Sequence, residues 1–296
     1  MTTRLETGVP QLDRMLGGGL LPGTQTVVVG ATGIGKTQLG LQFLEQGQQQ
    51  EGQRGILFDM TTRGDSQNHS EYARRLFDWE LTDFAVDGKV DPADVWDAGL
   101  ARRDYVHIFR QSGRQVSIGD MEPDDWREWK TELARKLDHA IAFFYGNFVH
   151  GVRRCVIDGI EPVDRASDSF QMRMIEYIVQ QILRKESSWL ARDLFRAAWR
   201  SHQEQVEQLS YETSQLGCLV LETSHQVMLD DLISRPIASG DLLSNANTVI
   251  LMGKIRQENG TGRGLYIAKH RGSACEETIA PYRITERGLE FEPAAG

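Results

Sequence analysis

Cysteine is scarce in this sequence, and no Cys-x-x-Cys pair occurs in it. Cys155, Cys218 and Cys275 form an odd set without paired spacing. That argues against a disulfide framework and reads as reduced thiols in a cytosolic protein. Cys155 and Cys218 lie inside apolar runs, as buried strand residues do. Long hydrophobic runs are also missing. No stretch approaches the roughly 20 apolar residues of a membrane span, and the opening residues lack the apolar core of a secretory signal. These absences predict a cytoplasmic protein with no membrane segment. Positive charge is in deficit, with 33 Lys and Arg against 42 Asp and Glu. Phosphate backbones want clustered Lys and Arg, so a broad nucleic-acid surface is disfavoured. Tandem repeats, low-complexity tracts and Pro/Ser-rich linkers are absent, and the expectation is one enlarged domain over residues 1–296.

What the sequence does contain is alternation. Short apolar runs beside turn residues predict strands at 26–30, 55–58, 105–109, 154–158, 218–222 and 248–252, then near 264–269 and 282–285. The first five are rich in Val, Ile and Leu without a period of two, as buried parallel strands are. Helical stretches separate them at 37–48, 66–77 and 123–144. In the last, Trp126, Trp129, Leu133, Leu137, Ile141 and Phe144 make one apolar face. Pro123 suits a first helical position. Strands alternating with helices imply an α/β fold, a mostly parallel sheet flanked by helices. Residues 168–215 contain no Gly or Pro. They predict one long helix, or two meeting near Ser187 and Ser188. This helical insertion, about 184–214, either packs on the domain or protrudes toward a protein partner or neighbouring subunit.

One motif carries chemistry by itself. Gly30, Ala31, Thr32, Gly33, Ile34, Gly35, Lys36 and Thr37 satisfy G-x-x-x-x-G-K-[ST], with a predicted strand before and a helix after. The glycines let successive backbone N–H groups turn inward onto phosphate oxygens, and the helix start adds its positive dipole end. Lys36 would reach the β- and γ-phosphates, and the Thr37 hydroxyl would ligate Mg²⁺. The metal needs a second carboxylate at the end of a buried strand. Asp158, closing Arg153-Arg-Cys-Val-Ile-Asp, fits that description, although such an Asp can also be a helix N-cap or sit in a strand-end turn.

The residues around this loop resemble a known family. Thr7-Gly-Val-Pro-Gln-Leu-Asp13, then Leu16-Gly-Gly-Gly-Leu20 and Pro22-Gly23, lead into the P-loop. Phe77-Asp-Trp-Glu-Leu81 with Asp87-Gly-Lys89, and the ending Ile267-Ala-Lys-His-Arg-Gly-Ser273 with Tyr282-Arg-Ile-Thr-Glu-Arg-Gly-Leu289, continue the likeness. The chain is similar to the KaiC-like and RadA-like ATPases of the RecA superfamily. The resemblance implies a RecA-like core and a homo-oligomer, a hexameric ring or filament with ATP between subunits. It implies that Lys269 and Arg271 reach the γ-phosphate of the next subunit. It also implies a catalytic carboxylate after the second strand, commonly paired glutamates. Here Leu57-Phe-Asp-Met-Thr-Thr62 offers Asp59 and places Met60 at the other position. Asp59 is one methylene short, and Glu161 is a weaker substitute. Thr223, Ser224, His225 and Gln226 occupy the place of a γ-phosphate sensor. The segment 228–240 would line a ring's channel, and its Asp230 and Asp231 outnumber Arg235.

The leading reading is an ATP-binding, Mg²⁺-dependent ATPase acting as an oligomeric nucleotide-driven switch. The alternatives are a nucleotide-gated scaffold with little hydrolysis, and a RadA-like DNA repair ATPase. The last is opposed by the acidic charge and by the missing zinc motif.

Overall fold

The computed structural model describes residues 3–61, 68–109, 123–161, 170–236, 242–258 and 260–292, and of 123–130 and 170 the backbone alone. The expected helix start at Ser66, the last residue of the 57–62 stretch and the Trp126 and Trp129 side chains lie outside the described residues.

The chain runs α1 (Pro10–Met15), β1 (Thr24–Gly30), α2 (Lys36–Gln50), β2 (Ile56–Asp59), α3 (His69–Phe77), α4 (Ala98–Ala101), β3 (Tyr105–His107), α5 (Pro123–Val149) and β4 (Arg154–Ile160). It continues α6 (Phe170–Tyr177), α7 (Ser187–Phe195), α8 (Trp199–Gln208), β5 (Gly217–Thr223), α9 (Leu229–Ser234), α10 (Leu242–Asn245), β6 (Thr248–Gln257), β7 (Gly260–His270), β8 (Ala280–Thr285) and β9 (Gly288–Phe291). All eight expected strands are present. The ninth, β9, returns on β8 through a short turn at Glu286 and Arg287.

One sheet joins all nine strands in the order β3-β2-β4-β5-β1-β6-β7-β8-β9. The six strands from β3 to β6 are mutually parallel, and β7, β8 and β9 extend the sheet antiparallel. Parallel strands buried on both faces explain the unbroken apolar runs. On one face Val27, Val29, Phe58, Ile157 and Val220 pack with Phe143, Phe144 and Phe148 of α5. On the other, Val28, Leu57, Val156 and Leu221 pack with Leu39, Leu41 and Phe43 of α2. This alternation sends Asp59 and Asp158, register partners on β2 and β4, to the α2 face.

The 168–215 region departs from its expected form. It is neither one helix nor two. A π-helical turn at Ile178–Ile182 ends α6, non-helical backbone precedes α7, and Arg196 with φ 47° breaks the path again before α8. The breaks have a packing reason. Met174, Ile178, Ile182, Leu190, Leu194, Phe195 and Val206 all belong to the core on the α5 face, and a straight helix could not lay so long an apolar series on one compact surface. Phe195 stacks on Trp96 at 5.1 Å, and His202 stacks on Phe195 at 4.3 Å. The segment after β5 departs too: 229–234 is helical, so its described part is not a simple loop.

Candidate functional site

The strand-to-helix turn after β1 is built by glycine. Gly33 and Gly35 have φ of 75° and 112°, a region that side-chain-bearing residues rarely enter. Gly35 is also the N-cap position of α2, so the helix starts directly at Lys36 and presents its free N–H groups to the turn. The buried Tyr282 hydroxyl of β8 donates to Ile34 O at 2.8 Å and braces the loop from behind.

Lys36 is only 4% exposed. Its ammonium donates to Gly30 O at 2.8 Å and to Ala31 O at 3.1 Å. Burial pushes its pKa down to about 8, against the opposing pull of the Asp158 and Glu222 carboxylates. A desolvated cation beside a ring of backbone N–H groups suits a polyphosphate. Glu222, one residue before the end of β5 and next to the expected sensor stretch, was read only as a strand end. Beyond β5, Ser224 N–H donates to Gly30 O at 3.0 Å, and Ser224 Oγ bonds Gln226 Oε1 at 3.0 Å. The expected sensor stretch therefore touches the first residue of the P-loop.

Thr37, at the second position of α2, donates its hydroxyl to Asp158 Oδ2 at 2.7 Å. The fold brings these two together across 121 residues. Asp158 Oδ1 accepts from Gly159 N–H at 2.7 Å. Glycine is required there: φ is 85°, and a Cβ would stand 2.5 Å from Thr61 N. One hydroxyl and one carboxylate are hard oxygen donors of the kind Mg²⁺ takes, with phosphates and water completing its shell. Among the described residues no group of three or more His, Cys, Asp or Glu is arranged to hold a metal by itself.

Asp59 is fully buried. Its Oδ1 accepts from Thr61 N–H at 2.8 Å, and its Oδ2 from the Tyr105 hydroxyl at 2.7 Å. The His69 ring lies between the two carboxylates, Nδ1 at 3.3 Å from Asp59 Oδ2 and Nε2 at 3.0 Å from Asp158 Oδ2. Burial alone would raise Asp59 and lower His69. The interaction outweighs it in both, holding Asp59 below the usual carboxylate range and His69 well above the usual imidazole range. Sequence reasoning missed His69. The available signal was position: a histidine within the helix expected right after β2, near the carboxyl end of the sheet. Met60 is buried on the opposite, α5 face of the sheet, so the second acidic position of the family pattern is given to packing.

Gln171 links the ends of β2 and β4. Its amide donates to Met60 O and Gly159 O and accepts from Glu161 N–H at 3.3 Å. Glu161 is half-buried at the end of β4.

Lys269 and Arg271 lie elsewhere. Lys269 pairs with Val249 at the start of β6, whereas Gly30 pairs with Met252 further along β6. The pair therefore occupies the amino-terminal end of the parallel strands, and the P-loop the carboxyl-terminal end. The Lys269 ammonium donates to Leu243 O and Ser244 O, both at 3.0 Å, while the Arg271 side chain is exposed. Burial and then the neighbouring Arg271 charge lower the Lys269 pKa.

A sequence model of the family described as "ATPase: KaiC" matches residues 5–188. The circadian clock oscillator protein KaiC of Rippkaea orientalis is 40% identical over 78 residues, 26% of this chain and 14% of that protein. A UPF0273 protein of Thermotoga maritima is 22% identical over 299 residues, covering 100% of this chain and 98% of that protein. The chain thus spans a small part of the clock protein and nearly all of the Thermotoga one. The crystal structure of a KaiC-like protein from Pyrococcus horikoshii superposes with a TM-score of 0.52 at 14% identity, covering 99% of this chain and 100% of that one. At that identity the likeness speaks to fold.

Proposed function

The chain belongs to the KaiC family of ATPases, in the RecA superfamily, and on that premise we propose that it binds Mg²⁺-ATP at the P-loop and hydrolyses it as an oligomeric nucleotide-driven switch. The observation that carries this is the 2.7 Å contact of Thr37 with Asp158 beside the buried Lys36 ammonium. Gly30, Ala31, Thr32, Gly33, Ile34 and Gly35 would wrap the phosphates. Lys36 would hold charge against the β- and γ-oxygens, and Thr37 and Asp158 would hold the cation. The bound cation neutralises charge on the transferring phosphoryl group. A homo-oligomer with ATP between subunits is supported by the placement of Arg271. Its backbone meets Asn247, five residues before the Met252 that pairs with Gly30, so it lies about 17 Å from its own P-loop by strand rise and would serve the nucleotide of a neighbouring copy. Lys269, tied to two carbonyls, would position that edge rather than touch phosphate. Residues 1–296 would act as one unit, with 184–214 as an insertion packed on the core rather than a protruding arm.

The test is phosphate release from ATP with Mg²⁺ over a range of protein concentrations, for wild type, Lys36→Ala and Arg271→Ala. Turnover that rises with concentration, is lost in Lys36→Ala, and is restored to Arg271→Ala by mixing with Lys36→Ala supports the reading. Turnover independent of concentration and indifferent to Arg271 sinks the inter-subunit site. A second reading, a nucleotide-gated scaffold, is favoured by one observation: both Asp59 oxygens already face protein groups. ATP binding without phosphate release at any concentration would select it.

A further inference from the structure

Asp59 stands where the family pattern expects the carboxylate that orients the attacking water, yet its geometry is that of a support. A general base must come within hydrogen-bond reach of the proton it takes. Asp59 is fully buried, with Thr61 N–H on one oxygen and the Tyr105 hydroxyl and His69 Nδ1 on the other. His69 is buried too, its ring 5.7 Å from that of Tyr105. Its second nitrogen faces Asp158 Oδ2, the same oxygen that accepts from the Thr37 hydroxyl. The groups thus form a series. Thr61 and Tyr105 hydrogen-bond Asp59, Asp59 faces His69 Nδ1 at 3.3 Å as a charge partner, His69 holds Asp158, and Asp158 meets Thr37 of the P-loop.

An imidazole suits the third place. Asp59 and Asp158 are direct register partners on adjacent strands, and a rigid ring with nitrogens on two sides can face both carboxylates at once. This is how ligand carboxylates and imidazoles are oriented around bound metals, by partners that never touch the ion.

We propose that Asp59 and His69 are positioning residues that hold Asp158 against Thr37 for the nucleotide-bound Mg²⁺, and that Asp59 takes no proton from water. The proposal rests on the Mg²⁺-ATP reading above. It departs from the family expectation that the acidic residue after the second strand acts directly.

The experiment titrates Mg²⁺ into the full chain with a fluorescent ATP analogue, for wild type, Asp59→Asn, His69→Gln, the double variant and the milder Tyr105→Phe, with phosphate release followed in parallel. Asp59→Asn and His69→Gln should each raise the Mg²⁺ midpoint for nucleotide binding by about 10–100-fold, the usual cost of losing such a support. The double variant should be no worse than either single one, because the residues act in series. Tyr105→Phe should move the midpoint the same way by less, and it keeps a readout should the charged variants fail to fold. Saturating Mg²⁺ should return whatever turnover wild type has. Asp59→Asn that leaves the midpoint in place and abolishes turnover at saturating Mg²⁺ would make Asp59 the base and overturn the proposal. So would additive midpoint shifts, or midpoints unmoved in every variant. A wild-type chain that binds no nucleotide overturns the Mg²⁺-ATP reading itself, and this proposal with it.

Discussion

Strand β4 carries a fully buried charged residue near each end, Arg154 and Asp158, and the two are treated differently. Arg154 is saturated. Nε and Nη2 grip the Glu51 carboxylate at 2.7 and 2.8 Å, Nη2 also bonds Gln50 Oε1, and Nη1 donates to Phe43 O at 3.0 Å and to Glu6 O. Its guanidinium lies 4.7 Å over the Phe43 ring. Every partner lies on the N-terminal segment or on α2 and the residue that caps it, so the cluster ties three parts of the chain together and has no capacity left over. Asp158 instead shares one oxygen between a hydroxyl and an imidazole, next to a lysine already lowered by burial. On β4 the charge at the amino end is spent on the fold, whereas the charge near the carboxyl end can be re-partnered by a ligand. The geometry of parallel sheets is the reason, since the free N–H groups of the following helices gather at the carboxyl end.

The sharpest way to break this contrast is Arg154→Ala. It leaves Glu51 with an unpaired, nearly buried charge, and removing one partner of such a pair costs about 3–5 kcal/mol. The midpoint of urea unfolding should fall accordingly, while the remaining folded protein keeps its nucleotide affinity. Equal losses of stability and affinity would erase the distinction between the two ends.

Lys36→Ala should show the converse. Loss of hydrogen bonds from a charged donor to phosphate is worth about 1.5–3 kcal/mol, so calorimetry should find ATP binding weakened by roughly 10–150-fold. Unfolding should be unchanged or slightly harder, because a desolvated cation has gone. A large loss of stability would mean that the lysine is a structural tie like Arg154.

The smallest effect is a pH dependence. Free Lys36 titrates at about 8, and phosphate would hold its proton more tightly, raising that value. Binding therefore takes up a proton above pH 8 and none below it. Affinity should be flat below 8 and fall as pH rises through it, by at most a factor of ten, about 1.4 kcal/mol, per unit. Lys36→Arg should flatten the curve, because guanidinium stays charged throughout. An affinity that is level to pH 9.5 in wild type would exclude a lowered lysine.

Much of the architecture was legible because it depends on local pattern. The apolar runs of β1, β2, β4 and β5 and the P-loop glycines state their conformation within a few residues, and Asp158 needed only the apolar run before it, although β4 itself continues to Ile160. The break before Ser187 was one of the two expected forms, whereas the one at Arg196 was not legible, since propensity favours helix there and the packing of Leu194 and Phe195 into the core on the α5 face overrides it. β9 escaped because it is a four-residue return that β8 alone makes a strand. Arg154 looked like one more charge at a strand start until α2 and the N-terminal segment closed over it.

The family, the phosphate-binding loop and the order of strands and helices are thus properties of the sequence itself, carried by residues that are neighbours along the chain. The partnership of Asp59, His69 and Asp158 was decided by the tertiary structure alone. It depends on β2 and β4 pairing in register and on α3 lying over their ends. His69 and Asp158 are 89 residues apart, and no spacing along a chain records which side chains a sheet will set side by side.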